Sequence, residues 1–240
     1  MDLNSKKQSL YSSDRYLDLH NLEGNSDRIK KVINIISQHK GKRLLDIGCG
    51  TGNITVKLKD FIDEIHAIEI SGRAVKAAKE KGVNASQLDI DEKNLPFNNN
   101  FFDIIFCGEL IEHVFDPDHL LDEIYRTLKP KGIAVITTPN LANYLNRLTL
   151  LFGFHPYFTS TGLRYNTGKF FGKGYPCPHI TVFALRSLKE LLRLHNFQIK
   201  KIIGANAYYL LPQPVRILDA IVTRIPSLAT CLIFVVEKKI

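Results

Sequence analysis

The clearest chemical signal in the chain lies in residues 43–53, where Asp46 and Ile47 lead into Gly48, Cys49, Gly50, Thr51 and Gly52. Leu44, Leu45 and Ile47 are apolar in near-continuous series, the pattern of a parallel strand covered on both faces. The glycines let the backbone turn sharply into a helix expected over residues 53–61, so a ligand can lie against bare main chain at that helix's N-terminus. Their spacing is G-x-G-x-G, with Asn53 standing where the dinucleotide fingerprint G-x-G-x-x-G needs its last glycine. Glu69, 17 residues past Gly52, ends a second strand-like segment at 64–70. A carboxylate at that place can accept hydrogen bonds from both hydroxyls of a ribose. A tight turn with no ligand would need fewer glycines and no acid at the next strand end.

A second group of reactive side chains, Glu109, Glu112 and His113, follows a fourth strand expected at 101–106. Open α/β sheets bind ligands beyond the carboxyl ends of their strands, so this group faces the same crevice as the glycine turn. If 109–113 forms one helical turn, the three side chains project to one side. Three readings stay open. His113 could take a proton from an attacking hydroxyl, with Glu112 beside it. Glu109, Glu112 and His113 could hold a divalent metal that orients the acceptor, although no metal ligand is assigned. Or Glu112 and His113 only hydrogen-bond backbone and hold the loop.

The glycine turn and the acid after it resemble the first two motifs of class I S-adenosylmethionine (SAM) dependent methyltransferases. Leu44-Leu45-Asp46-Ile47-Gly48-Cys49-Gly50-Thr51-Gly52 is similar to that family's most common form. Residues 102–117, FDIIFCGELIEHVFDP, resemble the block of the subgroup that includes quinone-biosynthesis O-methyltransferases, and Lys129-Pro130-Lys131-Gly132 resembles the family's L-K-P-G-G turn. The resemblance covers 43–138 strongly and the remainder weakly. It implies SAM as cofactor, bound at Asp46, Gly48, Cys49, Gly50, Gly52 and Gly108. It also implies adenosine contacts at Glu69 and Ile70, with Asp89 near the adenine amino group and Ile90 as a wall of its pocket. Arg28 could reach the methionine carboxylate or be an ordinary solvated helix charge. His179 and Phe183 are the residues implied to face the acceptor.

The elements that must position these residues alternate in type. Helices are expected at 14–21 and 26–38, then strands near 64–70, 83–88, 101–106 and 133–138 with helices at 72–81 and 118–128 between them. A helix at 184–195, a strand at 197–204, an amphipathic stretch at 208–225 and a strand at 228–237 complete the chain. The expected fold is a single α/β domain over 1–240, a Rossmann-like seven-stranded and mostly parallel sheet. The resemblance implies a last strand inserted antiparallel. Residues 1–40 would form a helical cap, and 141–182 a lid inserted after strand five. The lid is rich in aromatics, nine of 23 falling in 141–180, and it carries Arg147, Arg164, Lys169 and Lys173 with no carboxylate. Such a loop suits a substrate lid on a membrane surface, a grip on a large anionic acceptor, or an oligomer contact.

Bulk properties narrow the partners. Net charge is +8, split between −5 for residues 1–123 (16 basic, 21 acidic) and +13 for 124–240 (16 basic, 3 acidic). No acid lies between residues 124 and 189, so one half is suited to something anionic. The four cysteines show no metal or redox spacing. Residues 1–8 are polar with no apolar segment behind them, and the apolar run at 228–236 is too short to span a bilayer, so a cytoplasmic protein is expected, with peripheral membrane contact through the lid. The expected activity is methyl transfer from SAM to a small-molecule or lipid-type acceptor, at oxygen. A nucleic-acid (RNA) methyltransferase fits the basic half, but the fourth strand ends in Cys107-Gly108-Glu109-Leu110 and lacks the N-P-P-Y type motif used for base amino groups. A non-catalytic SAM-binding protein is the third reading.

Overall fold

The computed structural model describes residues 26–39, 41–162, 165–170, 179–206 and 213–239, with the side chains of 213–216 and 218 left out. The helix expected at 14–21, most of the N-terminal cap, and lid residues 163–164 and 171–178 lie outside the described residues.

Helix α1 (Asp27–Ser37) leads into β1 (Arg43–Ile47), α2 (Asn53–Leu58), β2 (Glu64–Glu69), α3 (Gly72–Glu80), β3 (Ala85–Gln87) and β4 (Phe102–Gly108). There follow α4 (Pro117–Thr127), β5 (Leu128–Pro139), α5 (Tyr144–Leu151), α6 (Leu185–Leu194), β6 (Phe197–Ala205), α7 (Gln213–Val222) and β7 (Cys231–Lys238). The strands form one seven-stranded sheet in the order β3-β2-β1-β4-β5-β7-β6. β1 to β5 run parallel, and β7 lies antiparallel between β5 and β6, as the resemblance implied. The expected turn at 129–132 is present as a bulge inside β5, where Lys131 takes φ 65° and the β4 pairing jumps from Leu128 to Ile133.

Residues of the central strands alternate between two buried layers, as a sheet covered on both faces requires. Leu45, Ile47, Ile105 and Ile136 pack under α4 and α6 with Leu120, Leu121, Leu188 and Leu192, while Leu44, Ile104, Phe106 and Val135 pack under α1 with Val32 and Ile36. Phe102, Phe106 and Phe234 are fully enclosed, each stabilising the fold by roughly 1.5–3 kcal/mol through burial. Side-chain caps set where the helices begin: Ser26 accepts from Ile29 N, Ser71 from Ala74 N, and Asp116 from His119 N ahead of Pro117. Among the described residues no helix is long and apolar enough to cross a membrane.

The lid begins as a helix instead of a loop. Asn140, Asn143 and Asn146, all buried, recur at three-residue spacing and hold it down. Asn140 Nδ2 donates to the carbonyls of Ser227 and Ala229, and Asn143 caps α5 by accepting from Asn146 N. Asn146 Nδ2 then donates to Leu141 O and Tyr157 O, while its Oδ1 accepts from Tyr157 N at 2.7 Å. Replacing Asn146 takes that partner from the Tyr157 amide and from the carbonyls of Leu141 and Tyr157. Asn146→Ala is expected to lower stability by about 1–3 kcal/mol in urea unfolding and to speed proteolysis after residue 152; unchanged behaviour in both would show that the lid is held by other contacts.

Candidate functional site

The glycine turn sits at the C-terminal edge of β1, and its backbone explains its composition. Gly48, Gly50 and Gly52 take φ of 76°, 54° and 75°, a region that side-chain-bearing residues rarely enter. The amides of Gly48 and Cys49 both donate to Ile68 O, fastening the turn to β2. Glu69 completes the attachment: its carboxylate accepts from Gly50 N at 3.0 Å and from Ser71 N at 2.9 Å. Burial pushes the Glu69 carboxyl above its usual range, and the Ser71, Gly50 and Ile70 amides oppose that push. Asp46, buried below the turn, accepts from Thr55 Oγ1 at 2.6 Å. Burial lifts its carboxyl to about 7, against the Thr55 hydrogen bond and with help from the Glu69 charge.

Two hollows open on this edge and share Gly48 as a wall. The first is lined by Glu69 and Ile70 at the end of β2, by Asp89, Ile90 and Asp91 beyond β3, and by Leu110, His113 and Val114 after β4. The second is lined by Asp46, Cys49, Thr51 and Asn53 of the turn, by Gly108 and Glu109, and by Arg28 of α1. Leu110, on the wall of the first hollow, packs over the shared glycine: a Cβ added at Gly48 would stand 3.1 Å from a Leu110 methyl. The cofactor residues named from the sequence therefore converge on one edge, with Gly50 and Gly52 shaping its backbone. Arg28 is no solvated helix charge. It is buried, donates to Thr137 Oγ1 at 3.2 Å, and lies 3.9 Å from Glu109.

Sequence reasoning missed Leu110, Asp91 and the threonine pair at the end of β5. Asp91 Oδ1 accepts from Phe115 N and Asp116 N and so anchors the loop after β4. Thr137 donates to Glu109 and Thr138 to Glu112, at 3.0 and 2.9 Å. Adjacent hydroxyls closing a buried strand were the available signal.

The loop 109–113 corrects one expectation. It is not a helical turn, since Glu109 takes φ 51°, and its carboxylate turns toward Arg28, Thr137 and the Cys231 thiol. Glu112 points elsewhere, with His113 and with His179 from the end of the lid; the ligand atoms of these three lie within 4.8 Å of one another. The two imidazole rings meet edge to face at 4.7 Å. His179 Nδ1 lies 2.8 Å from Phe158 O, a group that only accepts, so Nδ1 carries the proton and Nε2 keeps a lone pair. Burial lowers the His179 pKa, favouring that neutral form, against the Phe158 hydrogen bond. Glu112 is pushed well above the carboxylate range by burial and by the Glu109 charge. Its Oε1 is buried with no hydrogen-bond partner, while its backbone carbonyl accepts from Ile180 N and Thr181 N and stitches the lid to the loop. Two imidazoles and a carboxylate suit a divalent first-row transition ion. The set that could hold one is thus Glu112, His113 and His179, without Glu109.

Phe183 is a second correction. It is 5% exposed, packs in the core and lines neither hollow, because its backbone pairs with Asn140 and its carbonyl accepts from Leu141 N. The thiols of Cys49, Cys107 and Cys231 are pushed up by burial and stay protonated, in keeping with the absence of a reactive spacing.

Asp46 gives a signed pH prediction. The folded chain holds its proton more tightly than the unfolded chain does. Its cost to stability is therefore absent below 3.8 and grows until the pH passes about 7. Asp46→Asn is expected to be more stable than wild type at pH 8 by on the order of 2–4 kcal/mol, to match it near pH 4, and to bind SAM more weakly at pH 8. Parallel unfolding curves at the two pH values would overturn the assignment.

The comparisons agree with this geometry. A methyltransferase domain family model matches residues 19–202. A demethylmenaquinone methyltransferase of Staphylococcus epidermidis is 29% identical over 136 residues, covering 52% of this chain and 56% of the relative. One of Staphylococcus aureus is 32% identical over the same shares. The chain spans about half the length of the curated relatives it matches. Among solved structures, a complex of the Haloferax volcanii Trm112 methyltransferase activator with a methyltransferase aligns at TM-score 0.67, with 17% identity, over 96% of this chain and 97% of that one. A SAM-dependent methyltransferase of Thermotoga maritima aligns at 0.62 with 17% identity over 97% and 100%. With a family model spanning most of the sequence and a matching fold and glycine edge, the chain belongs to the methyltransferase domain family, among the class I SAM-dependent methyltransferases.

Proposed function

We propose that the protein methylates an oxygen of a small-molecule or lipid-type acceptor of the quinone-ring kind, with the lid of residues 141–182 in contact with a membrane surface. The observation that carries the acceptor side is the meeting of His113, a wall residue of the first hollow, with His179 and the buried Glu112. The names of the Staphylococcus relatives support a quinone-type ring.

Bound SAM supplies a methyl group on a positively charged sulfur whose leaving group is a neutral thioether. The protein's share is placement and charge. Arg28 would hold the methionine carboxylate in the second hollow, and Asp46 and Glu109, on the same wall, would face its ammonium. Glu69 spends two acceptor sites on the turn and keeps lone pairs for ribose hydroxyls in the first hollow. Asp89 and Ile90 would border the adenine. At the acceptor, an imidazole nitrogen of His113 would take the hydroxyl proton as the oxygen attacks. A divalent ion on Glu112, His113 and His179 would do the same work by lowering the hydroxyl's pKa.

Incubation with methyl-labelled SAM and separate quinol, lipid, sugar and RNA fractions tests this. Label is expected in a solvent-extractable phenolic or lipid product; label confined to RNA, or none above background, overturns it. His113→Ala is expected to lower kcat by about 10²–10⁴-fold, a larger effect than any it has on the Kd for SAM, and unaltered turnover would leave the His113 role without support. Added zinc or manganese should bind the wild type but not Glu112→Gln if the cluster takes an ion.

A further inference from the structure

We propose that the outward face of α7, continued by the end of α5, docks on an anionic lipid surface. This extends the proposed lid contact to a second element and does not depend on which acceptor is methylated.

Among its described residues, α7 turns apolar side chains outward and polar ones inward. Ile217, Ile221 and Ile225 recur every fourth residue along the helix and the turn after it, and are 62%, 58% and 53% exposed. Asp219 and Thr223, on the opposite side, are buried at 0% and 3%. A helix on a water-facing surface normally turns its apolar stripe inward. Here the close approach of the chain to β6 fixes the other orientation: a Cβ at Gly204 would stand 2.2 Å from Thr223 O and 2.6 Å from Ala229 Cβ, so this side of the helix must face the sheet.

Inside, the buried Asp219 carboxylate and the Tyr144 hydroxyl face each other, and burial raises the pKa of both. The start of α5 is clasped to the segment after α7, since Tyr144 N donates to Leu228 O and Arg147 to Ser227 O. Farther along, Leu148, Leu150, Leu151 and Phe152 are exposed in turn.

Charge decides the occupant. Between residues 125 and 236 the only acids are Glu190 and the buried Asp219, whereas Arg147 and Arg224 are exposed beside the apolar residues. A second copy would set one basic face against another. An anionic headgroup layer accepts both the arginines and the isoleucines, in the manner of an interfacial helix.

Full-length protein would be sedimented with vesicles of phosphatidylcholine, with and without phosphatidylglycerol. Binding is expected to the phosphatidylglycerol vesicles alone and to weaken with added salt. The Ile217→Ser/Ile221→Ser variant should lose at least about tenfold in partitioning and Arg224→Glu should weaken it, both with wild-type helix content and SAM binding. Absence of binding to either vesicle, equal binding by the isoleucine variant, or a wild-type dimer that the same variant dissociates would overturn the proposal. Methyl transfer to a detergent-dispersed acceptor is a separate readout, so loss of vesicle binding and loss of acceptor chemistry are distinguishable.

Discussion

One buried carboxylate holds the working edge together. Glu69 takes the Gly50 amide on one oxygen and the Ser71 amide on the other, joining the turn after β1 to the start of α3 across the end of β2. Both amides would otherwise be orphan donors in a dry place, which costs more than a hydrogen bond gains. The arrangement keeps negative charge where solvent cannot stabilise it. Glu69 and Asp46 are both lifted by burial, so a positively charged ligand at this edge would favour their charged forms. Stability is sacrificed locally for affinity, a pattern common at ligand sites.

The second half of the site is built by a different device. β5 ends in two threonines whose hydroxyls separate Glu109 from Glu112, sending one toward Arg28 and the other toward the histidines. A left-handed residue at Glu109 makes that divergence possible. The lid joins in through main-chain bonds from Ile180 and Thr181 to Glu112, which is how a residue 66 positions away, His179, becomes a neighbour of His113.

How much of this was legible in the sequence follows from the range of each interaction. The glycine turn, the acid at the end of β2 and the alternation of strands and helices depend on local chemistry and on periodicity, and they stand as the sequence implied, while the antiparallel last strand follows the resemblance. Arg28 could be named but not decided, because its burial is produced by Thr137, 109 residues distant. His179 was named for the acceptor, yet its partners were hidden by the assumption that 109–113 is helical. Phe183 was misplaced because an aromatic at a strand-like crossing looks the same facing a ligand or a core. The stretch at 208–225 was legible only as amphipathic, without the direction of its apolar side, because the packing of Thr223 against Gly204 of β6 is a long-range contact. The asparagines of the lid gave a regular spacing that was not read at all.

Leu110 carries a consequence for how a ligand enters. Its side chain, on the wall of the first hollow, stands over Gly48, the residue that both hollows share. A nucleoside or amino-acid fragment would fill one compartment alone, whereas a ligand that bridges them would pass that leucine. Any movement of the side chain that such passage requires would enter the affinity for the whole and not for the pieces. The same residue would then set a molecule that spans both compartments apart from fragments that fill one.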